Sequence, residues 1–69
     1  MMLIEGDLVT IPQDAYIYPP CKHHVKIPRK LKIKKYGVVI ASSGDDYKVL
    51  ITDTVYEVNK KFLQLVETA

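Results

Sequence analysis

The sequence has a single cysteine, Cys21, and no long apolar run. One cysteine cannot form an intramolecular disulfide, so the cross-links that stabilise many small secreted domains are excluded. No segment approaches the roughly 20 apolar residues of a membrane-spanning helix, and residues 1–7 lack the basic and apolar parts of a signal peptide. We therefore expect a soluble protein of a reducing compartment, or part of an assembly built in one, with no membrane partner.

The chain is also short, with 69 residues, of which 48% are hydrophobic and 26% are charged. This composition is typical of a globular protein rather than of a disordered tail. A chain of this size buries only about 60% of the surface that its unfolded form exposes, so its core is small. We expect one domain over residues 1–69, with no repeat and no linker.

Acidic residues are missing from residues 19–35, although this stretch holds seven of the ten Lys and Arg residues. The seven cations are Lys22, Lys26, Arg29, Lys30, Lys32, Lys34 and Lys35. Outside the stretch three lysines stand against eight carboxylates, which leaves a formal charge of −5. Because a solvated surface normally mixes charges of both signs, this segregation makes the stretch the first candidate for a binding surface.

Short β-branched runs, separated by Gly, Asp, Ser and Pro, predict strands and turns rather than helices. The predicted core strands cover residues 7–11, 36–41, 47–52, 55–58 and 62–66, with one helical or 3₁₀ turn at 59–61. Residues 42–46 are predicted to form a turn in which Gly44 takes a positive φ. The sequence therefore predicts an all-β domain of five strands.

The segment between the first two core strands, residues 12–35, is long for a loop in so small a domain, and such loops are usually functional or disordered. Residues 15–18 are β-prone, and residues 30–34 alternate between lysine and aliphatic side chains. We expect these two arms to pair as an antiparallel ribbon within residues 15–35. The alternation predicts a solvent side with Lys30, Lys32 and Lys34 and an opposite side, with Leu31 and Ile33, that packs on the barrel.

The core strands are apolar on both faces, which predicts an interior and a second apolar surface. The side chains predicted to fill the interior are Val9, Ile11, Val38, Ile40, Val49, Ile51 and Leu63. The opposite face carries Leu8, Val39 and Leu50, which are candidate protein-interface residues because such a face needs cover. That cover would come from Leu31 and Ile33 of the ribbon, from a partner or from a second copy of the chain.

The order of the predicted elements resembles that of an SH3-like barrel. The resemblance is carried by GDLVTI (6–11), YGVVI (36–40), YKVLI (47–51) and FLQLV (62–66). The chain is similar to small SH3-like proteins encoded by tailed phages. It is similar more distantly to KOW-type barrels of ribosomal and transcription-factor proteins, and to small SH3-like subunits of photosynthetic complexes. The resemblance implies a small five-stranded barrel, a non-catalytic docking role, and a location in a virion or the host cytoplasm. Residues 12–35 match none of these families closely, and we expect them to form a long basic ribbon or loop between the first and second core strands.

Cys21, His23 and His24 are the candidate metal ligands of the chain. Structural zinc sites use four ligands, and adjacent histidines on an extended segment point to opposite sides, so we expect no metal site within one chain. A site completed by a second copy is the alternative. No phosphate-binding loop, paired-carboxylate motif or nucleotide fingerprint is present, so we expect no enzymatic activity, no catalytic residue and no cofactor.

The basic stretch has three interpretations. It could dock on an acidic protein surface in a larger assembly, including a homo-oligomer, or it could be a solvated face whose lysines protect a sheet edge. It could also bind nucleic acid, with lysines on phosphates and with Tyr16 and Tyr18 stacking on bases. Lysine outnumbers arginine six to one in the stretch, which disfavours base-specific recognition. Protein docking is favoured, and a KOW-like nucleic-acid binder is the alternative.

Overall fold

The computed structural model of the protein describes residues 3–20 and 27–66. Its strands are β1 (Leu8–Ile11), β2 (Tyr16–Tyr18), β3 (Arg29–Lys30), β4 (Lys35–Ser43), β5 (Asp46–Ile51), β6 (Thr54–Asn59) and β7 (Gln64–Leu65), with a 3₁₀ turn over Lys60–Phe62. The strands form one antiparallel sheet in the order β3-β2-β6-β5-β4-β1-β7. The predicted all-β class is confirmed. No helix in the described part of the chain has the length and apolarity needed to cross a membrane.

The sheet is open, since β3 and β7 lie at its two edges and do not pair with each other within the described residues. The core is nevertheless well buried, with Val9, Ile11, Val49 and Val58 fully excluded from solvent. The other core residues are Ala15, Ile17, Leu31, Val39, Tyr47 and Ile51. The described residues form a single sheet with no second layer, so these core side chains from different parts of that sheet pack against one another.

Strands β4, β5 and β6 are joined by two two-residue turns. Gly44 and Asp45 connect the paired residues Ser43 and Asp46, and Gly44 has φ 62°, as the sequence predicts. This turn is shorter than the predicted turn at 42–46. Thr52 and Asp53 connect β5 to β6, and Thr52 also has a positive φ, of 61°. Such short turns fix the register of the three strands.

The orientation of β4 differs from the predicted one. Val39 is 1% exposed and belongs to the core, whereas Val38 is 37% exposed and Ile40 is half-buried. The predicted inward orientation of Val38 and Ile40 is therefore wrong. Val9, Ile11, Val49 and Ile51 are buried as predicted. Leu63 is partly buried against the core.

Gly37 explains this orientation. It pairs with Val9 and faces inward, where an added Cβ would collide with Val49 Cγ1 and would lie 2.9 Å from the backbone oxygen of Leu50. Only a hydrogen fits there, and the two-residue period of a strand then turns Val39 inward as well. A register shift between Val39 and Ala41 leaves Ile40 at a β-bulge, which ends the strict alternation.

The 3₁₀ turn lies one residue beyond its predicted position. Its N-cap is Asn59, whose Oδ1 accepts a hydrogen bond from the Lys61 N–H at 3.0 Å. The Leu63 N–H donates to the Lys60 carbonyl at 3.1 Å and closes the turn. The last strand consequently covers only Gln64–Leu65, shorter than the predicted 62–66.

Candidate binding surfaces

The ribbon between β1 and β4 is shorter than predicted. β2 pairs with β3, with Tyr16 opposite Lys30 and Ile17 opposite Arg29. The Leu31 N–H donates to the Ala15 carbonyl at 2.9 Å, which extends the pairing by one residue. The chain then bends at residues 32–33 before β4 begins. The predicted strand across 30–35 is therefore wrong beyond Leu31.

The bend separates side chains that the alternation placed together. Leu31 is 8% exposed and packs in the core, and Ile33 is 59% exposed, so Ile33 does not cover an apolar face. Lys34 extends over the ring of Tyr36, with its ammonium 5.5 Å from the ring centre. Lys30, Lys32 and Lys34 therefore do not form the predicted row on one side of a strand.

Most of the described cations of the stretch surround one concavity, which we call the basic cleft. The cleft has a volume of about 330 Å³. Its cations are Arg29, Lys30, Lys32 and Lys35, its apolar side chains are Ile17, Leu31, Ile33, Ile51 and Tyr56, and Thr52, Asp53 and Thr54 complete its lining. The cleft thus combines positive charge with an apolar floor.

The electrostatic balance of the basic cleft is positive, with four cations and one carboxylate, that of Asp53. This carboxylate accepts a hydrogen bond from the Thr54 hydroxyl at 3.3 Å. The Lys30 ammonium lies 3.7 Å from the Asp14 carboxylate, and both side chains are more than half exposed. Such an exposed ion pair contributes little, so it leaves the positive charge of Lys30 accessible to a ligand.

Some predicted site residues lie outside the described part of the chain. They are Lys22 and Lys26 of the basic stretch and the candidate metal ligands Cys21, His23 and His24. Among residues 3–20 and 27–66 there is no group of three side chains suited to hold a metal ion.

Tyr16 and Tyr18 border a second concavity, the aromatic cleft, of about 570 Å³. Its remaining lining residues are Pro28, Asp46, Asn59, Lys61 and Phe62. The Lys61 ammonium lies 5.1 Å from the centre of the Phe62 ring. Phe62 is far from the tyrosines in sequence, and only the pairing of β2 with β6 brings the 3₁₀ turn beside them, so the sequence pattern did not indicate it.

The outer face of the sheet carries a row of aliphatic side chains that crosses the strands. The cross-strand partners are Leu8 with Val38, Val38 with Leu50, and Leu50 with Val55. Val66 extends the row, because its N–H donates to the Leu8 carbonyl at 2.9 Å. Leu8 is 39% exposed and Val38 37% exposed, and the other three are half-buried. We call these five residues the apolar row.

The predicted interface residues Leu8 and Leu50 lie in the apolar row. The third, Val39, is a core residue that is 1% exposed, and Val38 lies on the outer face instead. Neighbouring strands are about 4.8 Å apart, so five positions span about 19 Å.

Comparison of the chain with protein-family models, with curated proteins and with solved structures found no match. The function is therefore inferred from the basic cleft, the aromatic cleft and the apolar row.

Proposed function

We propose that the protein is a non-enzymatic docking module that binds an acidic protein surface through the basic cleft. The observation that carries this proposal is the gathering of four cations around a cleft with one carboxylate and an apolar floor. Complementary charge orients a partner and speeds its encounter, and apolar contact supplies affinity. The apolar row is a second contact surface for the same assembly or for another copy of the chain.

We further propose that the fold is an SH3-like barrel. Five strands in the spatial order β7-β1-β4-β5-β6 support it, as do the 3₁₀ turn before β7 and the long segment between β1 and β4. In this proposal β2 and β3 belong to the basic insertion rather than to the barrel. A well-buried core in a domain with one open sheet supports a curved, partly open barrel.

The resemblance of the core segments to small SH3-like phage proteins leads us to propose a phage-encoded component of a virion or of its assembly. Its place would be the virion or the host cytoplasm. The position of the gene tests this origin. A location among head and tail genes would support a structural role, whereas a location among early genes would favour an action in the infected cell.

A KOW-like nucleic-acid binder is the second candidate function, and the aromatic cleft favours it. Tyr16 and Lys30 are cross-strand partners, so a cation adjoins a partly exposed ring. Phe62 and Lys61 line the same cleft. Aromatic rings beside cations are the elements that bind single strands by stacking and by phosphate contact.

Binding of the purified protein to polyglutamate and to duplex and single-stranded DNA separates the two candidates. We expect measurable binding to polyglutamate and weak, non-specific binding to either DNA. The measurement is fluorescence anisotropy between about 50 and 200 mM salt, where a true nucleic-acid binder loses affinity with a log–log slope of about −0.9 for each duplex phosphate contacted.

Two variants identify the surface that binds polyglutamate or DNA: Tyr16→Ala and the double variant Arg29→Glu/Lys32→Glu. We expect Tyr16→Ala to leave polyglutamate binding unchanged and the double variant to weaken it. Submicromolar, salt-sensitive DNA binding that is lost in Tyr16→Ala would instead establish the second candidate, since stacking on one ring accounts for about 1–3 kcal/mol per base.

A further inference from the structure

We infer that the basic cleft binds an extended acidic peptide segment that inserts one apolar side chain between two carboxylates. The inference rests on the proposed docking function and specifies the chemistry of the partner. The recognised pattern is acidic–x–apolar–x–acidic, and each part of it follows from a different part of the cleft.

The floor of the cleft requires the apolar side chain. Ile17, Leu31 and Ile51 close the cleft from the core side, and Tyr56 is only half-buried beside them. Ile33 is 59% exposed and lines the same cleft. Ile17, Leu31 and Ile51 are at most 8% exposed, so the apolar surface open to a ligand is mainly that of Ile33 and Tyr56. A ligand that carried charge alone would leave this surface in water, whereas an aliphatic side chain covers it and gains the free energy of burial.

The size of the cleft limits the insertion to a single side chain. Its volume of about 330 Å³ is at the lower end of the range for ligand sites. The cleft therefore takes one large side chain with its backbone rather than a folded surface. This favours a single extended segment of the partner.

The cations around the cleft determine where the two carboxylates of the ligand bind. In an extended peptide, side chains two positions apart project on the same side about 7 Å apart. When an apolar residue enters the cleft, the side chains two positions before and after it point toward the same surface. Carboxylates at those positions can reach cations such as Arg29 and Lys32, which are exposed.

The backbone at the cleft supplies an independent observation. Thr52 lines the cleft and has φ 61°, a conformation that is unfavourable for a β-branched residue. Glycine or asparagine would occupy this turn with less strain. Strained residues of this kind concentrate at binding sites, and Thr52 carries a hydroxyl that can donate a hydrogen bond to a carboxylate bound in the cleft.

Fluorescein-labelled peptides test the inference directly. The probe is Ser-Gly-Glu-Ser-Leu-Ser-Glu-Gly-Ser, and its two comparison peptides replace the leucine with serine or both glutamates with glutamine. We expect each replacement to weaken binding about tenfold at low salt, one through lost apolar burial and the other through lost ion pairs. Fluorescence anisotropy measures all three affinities.

The protein variants locate the site. Arg29→Glu/Lys32→Glu should weaken binding of the leucine peptide about tenfold. The matched control, Lys34→Glu/Lys48→Glu, changes the net charge equally at exposed positions outside the cleft and should weaken it by less than about threefold. Circular dichroism verifies that both variants remain folded, and Lys32→Glu with Lys34→Glu as its control replaces the pair if either double variant unfolds.

The outcomes separate this inference from the docking function. If the serine peptide binds as tightly as the leucine peptide, the apolar anchor is overturned while docking on acidic surfaces stands. If none of the peptides binds and polyglutamate fails to bind as well, the docking function is overturned too. Equal losses in the cleft variant and in its control would show that the basic cleft is not the site.

Discussion

Replacing Val39 with alanine is expected to lower the free energy of unfolding by about 2–3 kcal/mol, through lost burial of two methyl groups and the cavity that they leave. The neighbouring substitution Val38→Ala should cost less than about 1 kcal/mol, because Val38 is 37% exposed whereas Val39 is 1% exposed. The two substitutions remove the same atoms from adjacent residues. They differ only in the face of β4 on which the side chain lies.

Thermal denaturation followed by circular dichroism measures the difference. A domain of this size has a total stability of about 3–10 kcal/mol, so the loss at Val39 is a large fraction of it. The melting temperature should fall by about 10–20 °C for Val39→Ala and only slightly for Val38→Ala. The reverse order would mean that β4 presents its other face to the core.

Replacing Gly37 with alanine is expected to destabilise the fold by about 3 kcal/mol, at the upper end of the range for an overpacked core. The new Cβ would collide with Val49 Cγ1 and approach the Leu50 carbonyl oxygen to 2.9 Å. A flexible side-chain end could move aside, but the backbone oxygen belongs to a paired strand. Urea denaturation measures the loss as a lower midpoint.

Two comparison variants test whether the loss of stability comes from the collision at Gly37 or from the replacement of a glycine as such. Gly44 has a positive φ and nothing within 4 Å of an added Cβ, so Gly44→Ala should cost only about 1–2 kcal/mol of backbone strain. The double variant Gly37→Ala/Val49→Ala removes one of the colliding atoms and should be less destabilised than the sum of the two single variants. Strict additivity would argue against the collision.

The strand pattern was largely predictable because it depends on local chemistry. Apolar alternation located β1, and Gly44 marked the first hairpin turn. The orientation of β4 was not predictable in the same way, because Val38, Val39 and Ile40 are all aliphatic and carry no alternation. Gly37 decides it through contact with β5, and such contact is visible only once the strands are paired.

The candidate site shows the same limit. Charge segregation located the cations of residues 19–35, but alternation alone extended the ribbon too far, since the bend at residues 32–33 has no glycine or proline to signal it. The floor of the basic cleft joins β2 and β5 through Ile17 and Ile51, which are distant in sequence. Tertiary placement of this kind leaves no local pattern.

The pairing of β1 with β7 has a consequence for the order of folding. Strands β4 to β6 are contiguous in sequence and are joined by two-residue turns, so they can form within microseconds as a local meander. Val9 pairs with Leu65, which lies after β6 and the 3₁₀ turn, so this pairing can form only after residues beyond the meander have been made. During translation one edge of β1 therefore has no partner strand until residue 65 has left the ribosome. In that interval the edge is open to pairing with another nascent chain, which makes β1 the strand where domain exchange between copies would begin.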